Sequence, residues 1–146
     1  MTPNIVHGCV KASNILIDVK FCARVGDYGL SFLASQEKKG LMGYEDDEAG
    51  ACKENDVYGF GVLLLELLSG RSESEEKLLV KWALPLIKDM RFSELLDPRL
   101  VIPSDLNPLV RLAKAASACV GNSRKSRPSM GQVAAILSSL EMEVCF

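Results

Sequence analysis

Near residue 53 the rhythm of apolar positions changes. Before it the apolar runs are short. Ile5-Val6 precedes a His-Gly step, Asn14-Ile15-Leu16-Ile17 is a β-branched run that stops at Asp18, and Phe21-Cys22-Ala23-Arg24-Val25 alternates up to Gly26-Asp27. Joined through Asp18-Val19-Lys20, the last two runs predict a small β-hairpin. Residues 31–52 read as loop, with a polar stretch at Gln36–Gly40 and an acidic one at Glu45-Asp46-Asp47-Glu48. The acidic run suits solvated loop or the first turn of a helix, where carboxylates oppose the positive end of the dipole. A cation site there has little in its favour.

From 53 onward the spacing is helical. Val57, Phe60, Val62 to Leu65, Leu67 and Leu68 leave Glu54–Ser69 apolar nearly all round, which predicts a buried central helix stopped by Gly70. Ser72-Glu73-Ser74-Glu75 fits a capping box ahead of Leu79, Trp82, Ala83, Leu86, Ile87 and Met90. Pro85 is expected to kink or shorten that second helix. A further turn is expected over Phe92–Leu96, then a break from Pro103 to Pro108. A third long helix is marked by Leu109, Leu112, Ala113, Ala116 and Val120 and closed by Gly121-Asn122. A second capping box, Ser129 to Gln132, leads into a last helix through Val133, Ile136, Leu137 and Leu140.

Composition narrows the class. With 146 residues, 48% of them hydrophobic, the chain can form one domain with one sizeable core. Seventeen basic and nineteen acidic residues give a net charge of −2, unlike the basic patch or stripe of a nucleic-acid binder. The apolar stretch Phe60–Leu68 contains Glu66 and is too short to span a bilayer, and no charged-then-apolar leader opens the chain. Five Cys, at 9, 22, 52, 119 and 145, are widely spaced and odd in number, and read as reduced intracellular thiols. One His and no Cys-x-x-Cys pair leave no zinc pattern.

The chemistry-bearing motifs come in a fixed order. His7-Gly8-Cys9-Val10-Lys11-Ala12-Ser13-Asn14 follows the loop H-R-D-L-x-x-x-x-N, with Cys in place of Asp. Asp27-Tyr28-Gly29 follows as a D-F-G-like tripeptide, then Gly43-Tyr44-Glu45-Asp46-Asp47-Glu48 in the manner of G-Y-x-A-P-E. Asp56-Val57-Tyr58-Gly59-Phe60-Gly61-Val62 parallels D-V-Y-S-F-G-V, and Arg127-Pro128-Ser129-Met130 reads R-P-S-M. Trp82-Ala83 and Leu96-Asp97-Pro98-Arg99-Leu100 fit the same series. On these residues the chain resembles the large, C-terminal lobe of plant receptor-like or receptor-like cytoplasmic serine/threonine kinases over nearly its whole length. The fold class expected is therefore α+β, mostly α, a kinase large lobe with a small β-hairpin and with the N-terminal lobe absent. Residues 1–146 form one truncated kinase-like domain in this reading. It divides into the catalytic-loop and metal-motif region (1–30), an activation-segment-like loop (31–52) and a helical subdomain (53–146).

The resemblance also implies roles. The counterparts of Asn14 and Asp27 hold Mg²⁺ through hard oxygen ligands, and the counterpart of Lys11 steadies the transferring phosphate. As residue types, Asn14 and Asp27 serve equally well as turn caps. The counterpart of Asp56 accepts catalytic-loop N–H groups, and that of Glu48 pairs with that of Arg127. These three are expected to be structural. His7 reads as a packed, hydrogen-bonded loop residue rather than a ligand.

The departures bear on function. Cys9 stands at the place of the catalytic Asp, and a thiol that is mostly neutral at pH 7 is a poor general base. A redox role for Cys9 lacks a second Cys close in sequence. Gly8 replaces the Arg that receives an activation-loop phosphate, and Leu41 stands where a substrate-side Thr is usual. The sequence contains no Gly-rich loop ahead of a strand and no V-A-I-K lysine; Gly59-Phe60-Gly61 lies inside a helical pattern. The expectation is a catalytically inactive lobe, with no cofactor of its own and ATP and Mg only by family resemblance. It acts through a protein partner, another kinase being one candidate. It has no nucleic-acid partner and no membrane segment, and it works in the cytoplasm or at the inner face of the plasma membrane through that partner. The alternative is one piece of a serine/threonine kinase that binds ATP and phosphorylates protein when the missing lobe is present. A lobe deprived of its neighbours is further expected to be marginally stable.

Overall fold

The computed structural model describes residues 6–8, 10–20, 22–26, 53–72 and 76–140. The loop motif's Cys9, the tripeptide at 27–29, the acidic run with Glu48 and most of the first capping box (73–75) lie outside these residues.

A 3₁₀ turn, Ala12–Asn14, leads into strand β1, Ile15–Ile17, which pairs antiparallel with β2, Ala23–Val25. The register is Ile15 to Val25, Leu16 to Arg24 and Ile17 to Ala23. Asp18 holds the turn: its carboxylate accepts the backbone N–H groups of Lys20 (2.8 Å) and Cys22 (3.0 Å), and Arg24 lies 3.4 Å away. The Cys22 and Lys20 hydrogen bonds, with Arg24 behind them, keep the Asp18 carboxyl below the usual carboxylate range.

Helix α1, Lys53–Ser69, is the centre of the molecule. Val62, Leu64, Leu65 and Leu68 from this helix enter the main core. Leu79, Ala83 and Ile87 join them from α2, Glu76–Lys88, and Ala113 and Ala116 from α4, Asn107–Cys119. A short α3, Phe92–Leu95, adds Phe92 and Leu95. Helix α5, Met130–Ser138, contributes Val133 to a smaller cluster with Val57 and Cys119. α1 thus packs apolar side chains on several sides, though not all round, since Leu67 is 66% exposed.

Punctuation residues act in three ways. Gly70 takes φ +69°, and its N–H bonds the Glu66 carbonyl, a left-handed helix stop that favours glycine. Pro85 lies inside α2, which runs on to Lys88, and the chain leaves the helix at Met90 with φ +58°. The break expected from Pro103 to Pro108 is present over 101–106, but Pro108 itself belongs to the next helix. It sits in the first turn of α4, where a missing N–H leaves no intrahelical bond unmade. At α5 both halves of the capping box form: the Gln132 N–H donates to Ser129 Oγ, and the Ser129 N–H donates to the Gln132 side chain. Asp97 closes α1 against α3 through its N–H to the Leu68 carbonyl (2.8 Å). The Arg99 guanidinium holds the Asp97 carboxyl below its ordinary range.

Candidate functional site

The described loop residues converge on the first turn of α1. Asp56 is 8% exposed and accepts two loop N–H groups. His7 donates to Oδ2 at 2.6 Å and Gly8 donates to Oδ1 at 2.8 Å. A carboxylate shared between two backbone donors is a charge-assisted clamp on the chain direction, stronger than a neutral pair. Gly8 has φ +87°, so the loop turns sharply where the similar motif carries Arg.

The His7 ring makes the next link. Its Nε2 lies 2.6 Å from the Gly26 carbonyl oxygen, and since a carbonyl can only accept, Nε2 carries the proton. The Gly26 N–H donates in turn to the Asn14 carbonyl at 2.7 Å. Gly26 is thereby tied to both ends of the 7–14 loop, and position 27 follows it directly. Asn14 is buried, its N–H closing the 3₁₀ turn onto the Lys11 carbonyl, while Lys11 is exposed. Among the described residues no three His, Cys, Asp or Glu side chains gather to hold a metal. The fit to Mg²⁺ therefore rests on the donor chemistry of the Asn14 carboxamide together with position 27, both hard oxygen types.

α1 reaches the loop more closely than a side chain allows. A Cβ at Gly59 would stand 2.6 Å from the Val10 carbonyl oxygen, so the Gly found where the similar helices carry Ser is a packing requirement here. Two residues further on, on another face, Gly61 meets the end of α4, where a Cβ would stand 2.6 Å from Cys119 Cβ and 2.8 Å from Val120 Cγ1. Burial against this seam pushes the Cys119 thiol up to about 11, so it stays a neutral apolar filler.

Arg127 lies at the other side of α1. It donates from Nε to the Gly121 carbonyl (2.8 Å) and from Nη1 to the Glu54 carbonyl (2.9 Å), and its guanidinium lies 4.9 Å from the Tyr58 ring centroid. Its expected partner Glu48 is outside the described residues. The carbonyl bonds and the aromatic face escaped sequence reasoning, because backbone acceptors leave no residue signature. The Gly26 carbonyl over His7 was hidden for the same reason.

Residues 2–137 match the family described as protein tyrosine and serine/threonine kinase. The chain belongs to the protein kinase family. Among its relatives is the serine/threonine-protein kinase-like protein CCR2 of Arabidopsis thaliana, 36% identical over 139 residues, covering 92% of this chain and 17% of that one. The proline-rich receptor-like protein kinase PERK8 of the same plant is 39% identical over 165 residues, covering 95% of this chain and 24% of its own length. The chain spans less than a quarter of either relative. Among solved structures, the pseudokinase domain of BIR2, an immune regulator of the RLK/Pelle family, superposes with a TM-score of 0.76 at 29% identity. That match covers 93% of this chain and 44% of that one. An apo pseudokinase shares the fold at TM-score 0.63 and 23% identity, over 89% of this chain and 41% of that one.

The kinase fold accounts for the architecture of the described residues: a mostly helical lobe with a two-stranded antiparallel sheet, of plant receptor-like kinase type. In this lobe His7, Gly8 and Asn14, the strand pair and Gly26 form one hydrogen-bonded unit hung from Asp56. No helix among the described residues is long and apolar enough to cross a membrane.

Proposed function

We propose that this kinase lobe does not transfer phosphate and acts by binding another protein. The observation that carries the reading is Cys9 at the place of the catalytic Asp in an otherwise ordered series of kinase motifs. Loss of a general base alone costs about 10²–10⁴-fold in rate. The likeness to the BIR2 pseudokinase domain supports the same reading. In it, a catalytic-loop and metal-motif region (1–30), an activation-segment-like loop (31–52) and a helical subdomain (53–146) make up one truncated kinase-like domain. The partner is a protein, another kinase being one candidate, met on the cytoplasmic side or beside the plasma membrane.

The test is incubation of the purified chain with radiolabelled ATP, Mg²⁺ and a generic protein acceptor, beside an active kinase control. No incorporation above background is expected, and robust incorporation with Cys9 intact overturns the proposal.

A second reading has its own support. Lys11, Asn14 and Asp27 are retained, and the similar relatives are named kinases. If the chain is part of a longer serine/threonine kinase, Asn14 and Asp27 would hold Mg²⁺, which neutralises phosphate charge when bound, and Lys11 would face the phosphate. An in-frame upstream segment with a Gly-rich loop and its lysine, conferring ATP binding on the longer chain, favours this reading.

A further inference from the structure

Helix α5 is lightly attached to the rest of the lobe. Of its nine residues only Val133 is buried, in the small cluster with Val57 and Cys119, and Leu137 packs there from a half-buried position. By contrast α4 buries four: Ala113, Ala115, Ala116 and Cys119. The far end of α5 is tied down by a polar contact. Arg111 of α4 donates from Nη2 to Ser139 Oγ at 2.9 Å, across 28 residues of sequence, and both residues are exposed. Arg111 makes no ion pair with a described residue, and neither does Lys114, also exposed and one turn further along α4. A permanent positive charge thus rests on a neutral hydroxyl. The same hydroxyl donates to the Ile136 carbonyl at 2.7 Å, and that carbonyl also accepts the Ser139 N–H at 3.2 Å.

We infer that Ser139 is a phosphorylation site whose phosphate locks α5 onto α4 through Arg111. In the transfer, Ser139 Oγ attacks the γ-phosphorus of a nucleoside triphosphate held by a second, active protein kinase. A new O–P bond forms and the β–γ bridge bond breaks. The nucleoside diphosphate leaves with that electron pair, and the hydroxyl proton passes to a base of the second kinase. The product carries a charge of about −1.5 to −2 and three acceptor oxygens where a neutral oxygen stood. A guanidinium meets such a group in bidentate fashion and more strongly than it meets a hydroxyl, and Lys114 adds positive potential. Two effects oppose the phosphate. The modified oxygen no longer donates to the Ile136 carbonyl, although that carbonyl keeps the Ser139 N–H. Ser139 is also the C-cap of α5, where the negative end of the helix dipole disfavours an anion. Arg111 therefore decides the sign: with the guanidinium in place the phosphate tightens α5, and without it the phosphate loosens α5. The neighbouring Ser138 hydroxyl donates to the Ala134 carbonyl and meets no cation among the described residues. Glu141 and Glu143 follow Ser139 in the sequence, a charge pattern of the kind by which kinases select acceptors. The inference goes beyond the proposed protein-binding role, because here the lobe is the substrate of another enzyme.

The test has two parts, both on the full chain. In the first, the chain is incubated with plant leaf extract, Mg²⁺, ATP and phosphatase inhibitors, and phosphate is mapped by tandem mass spectrometry. Phosphate on Ser139 is expected with extract and not without it. In the second, phosphoserine is placed at 139 by amber suppression in the wild-type and Arg111→Gln chains, and amide hydrogen exchange is followed over 130–138. With Arg111 present, the phosphate should slow exchange in α5 by about fivefold to tenfold, the gain of a charge-assisted bond over a neutral one. In Arg111→Gln the same phosphate should speed it. Arg111 is exposed, so the variant should keep its fold, and the α4 amides serve as the reference that reports any global loosening. Arg111→Lys keeps the charge without the fork and should restore part of the slowing. The inference is overturned by no phosphate on Ser139, by phosphate confined to Ser138, or by a response of α5 to phosphoserine that is absent or equal in the two backgrounds. Phosphate on Ser139 without extract overturns the assignment to a second kinase, and the inactive-lobe reading with it.

Discussion

Asp56 meets His7 and Gly8 across 49 and 48 residues of sequence, so one carboxylate fixes a long-range contact. Asp56→Ala leaves two N–H donors without their acceptor, at about 1–3 kcal/mol for each buried one. Urea unfolding should show a loss of at least about 2 kcal/mol, and the His7 and Gly8 amides should lose hydrogen-exchange protection before the α4 amides do. Cys119 behaves in the opposite manner, as a titratable group kept uncharged. Its folded pKa of about 11 lies above that of an unfolded thiol, near 8.5. Between these values the unfolded chain gives up the proton and the folded chain keeps it. This contribution is fully present below about pH 8.5 and is lost as pH rises towards 11, by at most about 1.4 kcal/mol per pH unit. Unfolding free energies from pH 8 to 10.5 should therefore fall less steeply for Cys119→Ala than for the wild type. Parallel slopes would show that Cys119 does not titrate in this way.

The same close approaches define how elements fit. At Gly59 the helix meets the loop backbone, and restoring the Ser of the similar motif should push Val10 away. Ser gains about half a kcal/mol in helix propensity over Gly, while overpacking costs about 1–3 kcal/mol, so Gly59→Ser should lower stability. A higher melting temperature for Gly59→Ser would show that the helix and loop are further apart than the structure has them. At α5 the reciprocal Ser129–Gln132 cap is fully formed, and Ser129→Ala should cost about 1 kcal/mol, visible as a lower urea midpoint with an unchanged slope. The strand pair is simpler. Asp18 and the three-pair register hold the hairpin, yet its own side chains bury little, so most of its order comes from the bonds of Gly26 to Asn14 and His7.

For the whole molecule the balance of covered and uncovered apolar surface decides behaviour in solution. Leu16, Ile17, Val19 and Val25 of the hairpin are all exposed, Val19 at 96%. Val101 and Ile102, in the connection between α3 and α4, are exposed as well. Such patches are association or aggregation surfaces when nothing covers them. The purified chain should therefore unfold broadly and with poor reversibility and should bind a hydrophobic dye below its transition. A sharp, reversible transition of a dye-negative monomer would contradict this. Partner binding should raise the transition temperature in proportion to the logarithm of partner concentration over its dissociation constant.

By itself the sequence determined the order and kind of the elements, because helical period, alternation, caps and the Gly70 stop are local chemistry. It also carried the kinase motifs in sequence order and the Cys at position 9. The break expected from Pro103 to Pro108 ends two residues sooner, at Leu106, because Pro108 is compatible with a first helical turn and the packing of Ala113 and Ala116 on α1 decides that a helix starts there. The tertiary structure alone decided that Gly59 and Gly61 mark backbone contact and that His7 holds Gly26. Those are relations between distant segments, made largely through backbone carbonyls and through the absence of a Cβ. Neither leaves a spacing rule in a single chain.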